Sequence, residues 1–196
     1  MSLVVSFVDK DGNMWMGADS CGSGGSLKGE YKNRKLFRAK GDVFVGLIGS
    51  YVLQNQISAN IKVFNNAHSV KRDLLNKVVP ILHEVIDEDT MDKSSMLVMF
   101  NSRIFVIQGD YSVLEVAENH KAIGVHAVAA DAVMDVLTRQ EENTLSTEQI
   151  LMKTFSAMSR YSEGIGFPFY ITNTVDGKMR KYLTIDGEGI PVTGGW

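Results

Sequence analysis

Short apolar runs punctuated by turn residues give way twice along the chain to apolar positions at helical spacing, and the chain closes on short runs again. Leu3–Val8 is an apolar, β-branched run, Asp11-Gly12 is a hairpin turn pair, and residues 13–18 form a second apolar run, which together predict a hairpin. Residues 19–31 hold Gly22, Ser23, Gly24, Gly25, Ser26 and Gly29, a composition that predicts a loop lying over the sheet edge. Residues 34–38 and Val43–Ile48 flank Lys40-Gly41-Asp42 and predict a second hairpin.

At Gly49-Ser50 the period changes. Val52, Ile57, Ile61 and Phe64 follow helical spacing, and Ser50 is placed to cap that helix. A second helix is predicted over residues 69–86, with Leu74, Leu75, Val78, Ile81, Leu82 and Val85 on one face and a kink at Pro80. Two helices are thus expected after four strands.

Strands then return at Ser95–Phe100 and 104–108, around Asn101-Ser102-Arg103, with a weaker one at 112–117. Residues 121–124 predict a short strand leading into a third helix, with Val128, Ala132, Val133, Val136 and Leu137 on its buried side. Ser146-Thr147-Glu148-Gln149 is a capping box ahead of a fourth helix carrying Ile150, Leu151, Thr154, Phe155 and Met158. Residues 168–174 and 179–185, around Asp176-Gly177, form a closing hairpin. Hairpin-joined strands imply antiparallel sheets, and paired helices after each strand group argue against a doubly wound parallel sheet. An α+β fold follows, a four-layer αββα sandwich of two antiparallel sheets flanked by helix pairs, formed by residues 1–196 as one domain.

Composition narrows the function. The 196 residues are 44% hydrophobic and 22% charged, which supports a large core and lacks the signature of disorder. A net charge of -3 with scattered basic residues disfavours nucleic acid, and no apolar run approaches a membrane span. The single cysteine, Cys21, has no partner for an internal disulfide and fits a reducing cytoplasmic setting. It is also a weak candidate nucleophile, with no histidine near it in sequence. His68, His83, His120 and His126 are dispersed, and the acidic stretch Asp87, Glu88, Asp89 and Asp92 lacks EF-hand spacing and reads as a solvated helix end. No nucleotide-binding glycine motif is present, so no metal or cofactor is expected.

Five local motifs then stand in order: Gly17-Ala18-Asp19-Ser20, Gly25, Asn33-Arg34-Lys35-Leu36, Val45-Gly46-Leu47-Ile48-Gly49-Ser50 and Ala122-Ile123-Gly124. With the four-layer order, they make nearly the whole chain resemble the proteasome β-subunit and HslV family of N-terminal nucleophile (Ntn) hydrolases. In that family the first residue of the mature chain supplies the nucleophilic hydroxyl, and its own α-amine acts as base. An α-amine suits that task because its reference pKa, about 7.7–8.0, leaves it partly neutral near pH 7.

The resemblance implies that Ser2 is the nucleophile once Met1 is removed, that Lys35 favours its ionised form, and that Asp19 orients Lys35. Gly49 then donates its amide to the oxyanion, and Ser162 belongs to the residues supporting the nucleophile. Val125 replaces the family's serine after Gly124, and Ser159 replaces the aspartate three residues before Ser162. The implied activity is a threonine/serine-type endopeptidase acting on peptides or unfolded protein in a ring-like homo-oligomer, with no ATPase partner assigned. Two alternatives stay open: a catalytically inactive proteasome-like subunit serving assembly or binding, and a non-proteolytic amidase on the same fold.

Overall fold

The first hairpin is closed by its own turn chemistry: the Asp9 carboxylate accepts the backbone N–H groups of Asp11 and Asn13, the Asn13 side-chain amide and the Trp15 indole. In the computed structural model, which describes residues 2–24, 27–30, 35–67, 71–139, 144–184 and 187–192, this turn joins β1 (Leu3–Val8) to β2 (Met14–Asp19). The expected loop at 19–31 instead contains a small antiparallel pair, β3 (Cys21–Gly24) and β4 (Leu27–Glu30). Its ladder is made by main-chain groups, which a glycine-rich composition does not preclude, and the loop expectation was wrong for that reason. Gly25, Asn33 and Arg34 lie outside the described residues. The next hairpin is β5 (Leu36–Ala39) and β6 (Val43–Ile48), so six strands, not four, precede the first helix.

The Ser50 hydroxyl accepts the Leu53 N–H at 3.1 Å and opens α1 (Tyr51–Asn60), which tightens into a 3₁₀ turn over Ile61–Asn66. The second helical stretch is α2 (Lys71–Asp73), a π-helical turn over Leu74–Val78, and α3 (Val79–Val85). Pro80 lacks the N–H that an α-helix would direct at the carbonyl four residues back, and the widened turn lies directly before it. The buried face is therefore Leu74, Val78, Leu82 and Ile86, while Leu75, expected inside, is exposed. Residues 87–92 form a helix of their own, α4 (Glu88–Asp92), whose cap Asp87 accepts the Thr90 N–H at 2.8 Å.

The chain continues with β7 (Ser95–Phe100), β8 (Arg103–Ile107), β9 (Val113–Glu115) and β10 (His120–Gly124). Then come α5 (Ala127–Arg139) and α6 (Thr147–Tyr161), the latter opened by the Ser146/Gln149 capping box. β11 (Phe169–Asn173), β12 (Met179–Tyr182) and β13 (Ile190–Pro191) finish the chain. On α5 the buried stripe is Ala130 and Met134, with Val133 and Leu137 beside them. Val128 is 84% exposed and Ala132 and Val136 are also outside, because these three fall off the stripe that the helix turns toward β10. Their assignment to the core was an error of helix rotation.

Two antiparallel sheets result, ordered β10-β1-β2-β11-β12-β13 and β5-β6-β7-β8-β9. Val4, Met16, Phe44, Leu97 and Met99 fill the space between them. α5 covers the first sheet through Ala130 and Met134 and α6 through Ile150, Phe155 and Met158, and the α1–α4 segment covers the second through Leu53, Ile57, Leu74 and Leu82. This is the α+β, four-layer αββα order. No helix among the described residues is long and apolar enough to cross a membrane.

Candidate active site

β2 runs between β1 and β11, which places its last residue, Asp19, opposite Phe169 and beside the start of β1. Lys35 stands immediately before β5, and its carbonyl accepts the Leu47 N–H at 2.9 Å, tying it to the other sheet. The two side chains meet between the sheets: Lys35 Nζ lies 2.8 Å from Asp19 Oδ1, with the residues 7% and 1% exposed. At this burial each charge depends on its partner, because a lone ion would bear the desolvation cost uncompensated.

The same oxygen of Asp19 also accepts the Leu3 N–H at 2.7 Å. On the other side, the Ser2 carbonyl accepts the Val125 N–H at 2.9 Å. These are the two polar groups of one peptide unit, so the Ser2–Leu3 linkage is gripped at both ends. Gly124 makes the grip possible: it pairs with Leu3 at φ +106°, and a Cβ there would overlap the Ser2 carbonyl oxygen.

Gly49 turns the chain from β6 into α1 at φ +132°, a conformation open in practice to glycine. A Cβ at this position would collide with the side chain of Ser94, itself buried and donating to the Thr90 carbonyl at 2.7 Å. Ser2, Ile48, Gly49, Lys93, Gly124 and Val125 together line an open cleft of 410 Å³. Strand register assembles it: Ile48 pairs with Ser95 and Leu3 with Gly124, bringing four chain segments to one end of the sandwich.

Four of the five expected residues thus meet, Asp19 and Lys35 in a buried pair and Ser2 and Gly49 in the cleft. Ser162 follows α6, buried, and its hydroxyl accepts the Gly164 N–H at 3.2 Å; no hydrogen bond joins it to Ser2, Asp19 or Lys35. Ser159 donates to the Ser156 carbonyl at 3.0 Å. The Cys21 side chain, His68 and Met1 lie outside the described residues. Among the described residues no group of three His, Cys, Asp or Glu side chains is placed to hold a metal ion. Lys93 and Ser94 were not anticipated. No local motif marks them, and the one available signal was the pairing of Ile48 with Ser95, which is visible only once the strands are in register.

By sequence the chain matches no family model and no curated protein. Solved structures resemble it closely in shape. Thiobacillus denitrificans BPH, in complex with epoxomicin, has a TM-score of 0.71 at 20% identity over 87% of this chain and 97% of its own. HslV from Trypanosoma brucei has a TM-score of 0.65 at 18% identity, covering 87% and 98%. Anbu, an ancestral β-subunit from Yersinia bercovieri, has a TM-score of 0.70 at 14% identity, covering 94% and 88%. Identity this low speaks to architecture alone, and the architecture is the Ntn-hydrolase fold of the HslV- and proteasome-like proteins.

Proposed function

We propose that this chain is an N-terminal nucleophile endopeptidase that cleaves peptide bonds through the Ser2 hydroxyl after Met1 is removed. The observation that carries the reading is the shared Asp19 oxygen, which binds the Lys35 ammonium and the Leu3 N–H at once and so ties a buried cation to the residue next to the nucleophile. In the forward step the Ser2 hydroxyl attacks the substrate carbonyl while its own neutral α-amine takes the proton. The nearby Lys35 cation favours the alkoxide form, and the Gly49 amide donates to the oxygen that becomes negative. Collapse of the tetrahedral intermediate breaks the C–N bond, the α-ammonium returns its proton to the leaving amine, and an ester to Ser2 remains. Water, activated by the same amine, hydrolyses that ester and restores the hydroxyl.

Ser162 enters the proposal as a support of the turn leading to β11, the strand that flanks Asp19. Peptides or unfolded protein are the proposed substrates, and the working form is a ring-like homo-oligomer in the cytoplasm. Large apolar side chains on the outer helices support assembly, notably Val128 at 84% and Tyr161 at 82% exposed. A second reading, a catalytically inactive scaffold, is favoured by Val125, an apolar side chain where a polar support for the amine is expected.

Intact mass spectrometry of the protein, expressed from its own initiator, before and after exposure to epoxomicin separates the two. Loss of Met1 and a single adduct mapped to Ser2, absent in Lys35→Ala, is the expected result. A retained Met1 with no adduct overturns the peptidase and leaves the scaffold. Light scattering of the eluted peak reads the assembly.

A further inference from the structure

We infer that Lys93 makes this cleft selective for substrates carrying a carboxylate close to the scissile bond. Lys93 lines the cleft with Ser2 and Gly49, at the corner between α4 and β7. It is exposed, and its ammonium has no ion pair or hydrogen bond among the described residues. The other lysine of the site differs on both counts, since Lys35 is buried and neutralised by Asp19. Among the described residues, Lys93 is therefore the cleft's side-chain cation in need of an anion.

Among the described residues nothing else lining the cleft supplies that anion: Ser2, Ile48, Gly49, Gly124 and Val125 are neutral side chains or glycines. Acids do stand nearby in sequence, at Asp87, Glu88, Asp89 and Asp92, but none lines the cleft, and the Asp87 carboxylate is occupied by the Thr90 N–H and hydroxyl. The first turn of α1, which starts beside Gly49, holds no acid either. A substrate carboxylate is the complement of this lining, and Ile48 and Val125 provide apolar surface for the rest of the chain.

The inference rests on Ser2 being the nucleophile, and one set of measurements separates the two claims. Peptide coumarin amides differing only by Glu against Gln, at each of the three positions before the scissile bond, are compared by kcat/KM. A Glu over Gln ratio of about three- to fivefold at one position is expected, the strength of a partly exposed ion pair, shrinking as salt is raised. The ratio falls to about one in Lys93→Gln, inverts in Lys93→Glu, and is restored in Lys93→Arg. Turnover with equal rates for Glu and Gln at all three positions overturns the selectivity and leaves the peptidase standing. No turnover of any peptide, together with no epoxomicin adduct on Ser2, overturns both.

Discussion

The two helical layers of the sandwich are built differently. α5 and α6 are long, regular helices of 13 and 15 residues, the second opened by a complete capping box. The opposite layer is broken: α1 tightens into 3₁₀, a π turn separates α2 from α3, and α4 has five residues. The regular layer packs flat on its sheet through Phe155, stacked on Phe169 at 4.5 Å. The broken layer delivers Gly49 and Lys93 to the cleft from its two ends, with Ser94 packed against Gly49. Irregularity in this molecule sits where the chain must arrive at a particular place, and regularity sits where it must only cover apolar surface.

That contrast can be broken by substitution. The largest effect is expected at Gly49→Ala, which forces a side chain into φ +132° and against Ser94. It should cost roughly 2–6 kcal/mol of stability from strain and overpacking combined, and abolish epoxomicin labelling. Adding Ser94→Gly should recover the steric part of the stability and none of the labelling, as read by denaturant melts and mass spectrometry on the same samples.

Phe155→Ala in the regular layer is the counterpart. It removes a fully buried ring and should cost about 3–5 kcal/mol, yet the labelling rate per folded molecule should stay unchanged. If labelling falls with stability here too, the division between the layers is wrong.

A smaller effect is expected from pH. The Tyr182 hydroxyl donates to Glu148 of α6, and burial, then that hydrogen bond and the carboxylate's charge, raise its pKa above the ordinary 10.0. A phenol with a raised folded-state pKa contributes stability that is fully present below the unfolded value and is lost as pH rises beyond it. Thermal melts between pH 8 and 11 should therefore fall above about pH 10, and Tyr182→Phe should flatten that fall. The smallest is Ser146→Ala, which removes a cap and should lower stability by about 1 kcal/mol without touching labelling.

The same contrast explains what the sequence disclosed. β1, β2, β6, β7 and β8 were legible because apolar runs ended at strong turn residues such as Asp11-Gly12, and α6 because its cap is local. Asp19, Lys35 and Gly49 were named through a resemblance. The pairing of Lys35 with Asp19, and the arrival of Gly49 beside Ser2, depend on strand order, which no local pattern carries. The exposed side of α5 was misread because Val128 and Val136 are as apolar as Met134, and only the partner surface decides which face turns inward. The π turn before Pro80 moved Leu75 outward for a reason no periodicity expresses.

The grip on the Ser2–Leu3 peptide unit touches backbone atoms and nothing of the side chain at position 2. The fold therefore specifies an address rather than a reagent. Threonine or cysteine installed at that position would be delivered to the same spot between Gly49 and Gly124, so under the proposed function the nucleophile is exchangeable at a single codon while the scaffold stays untouched.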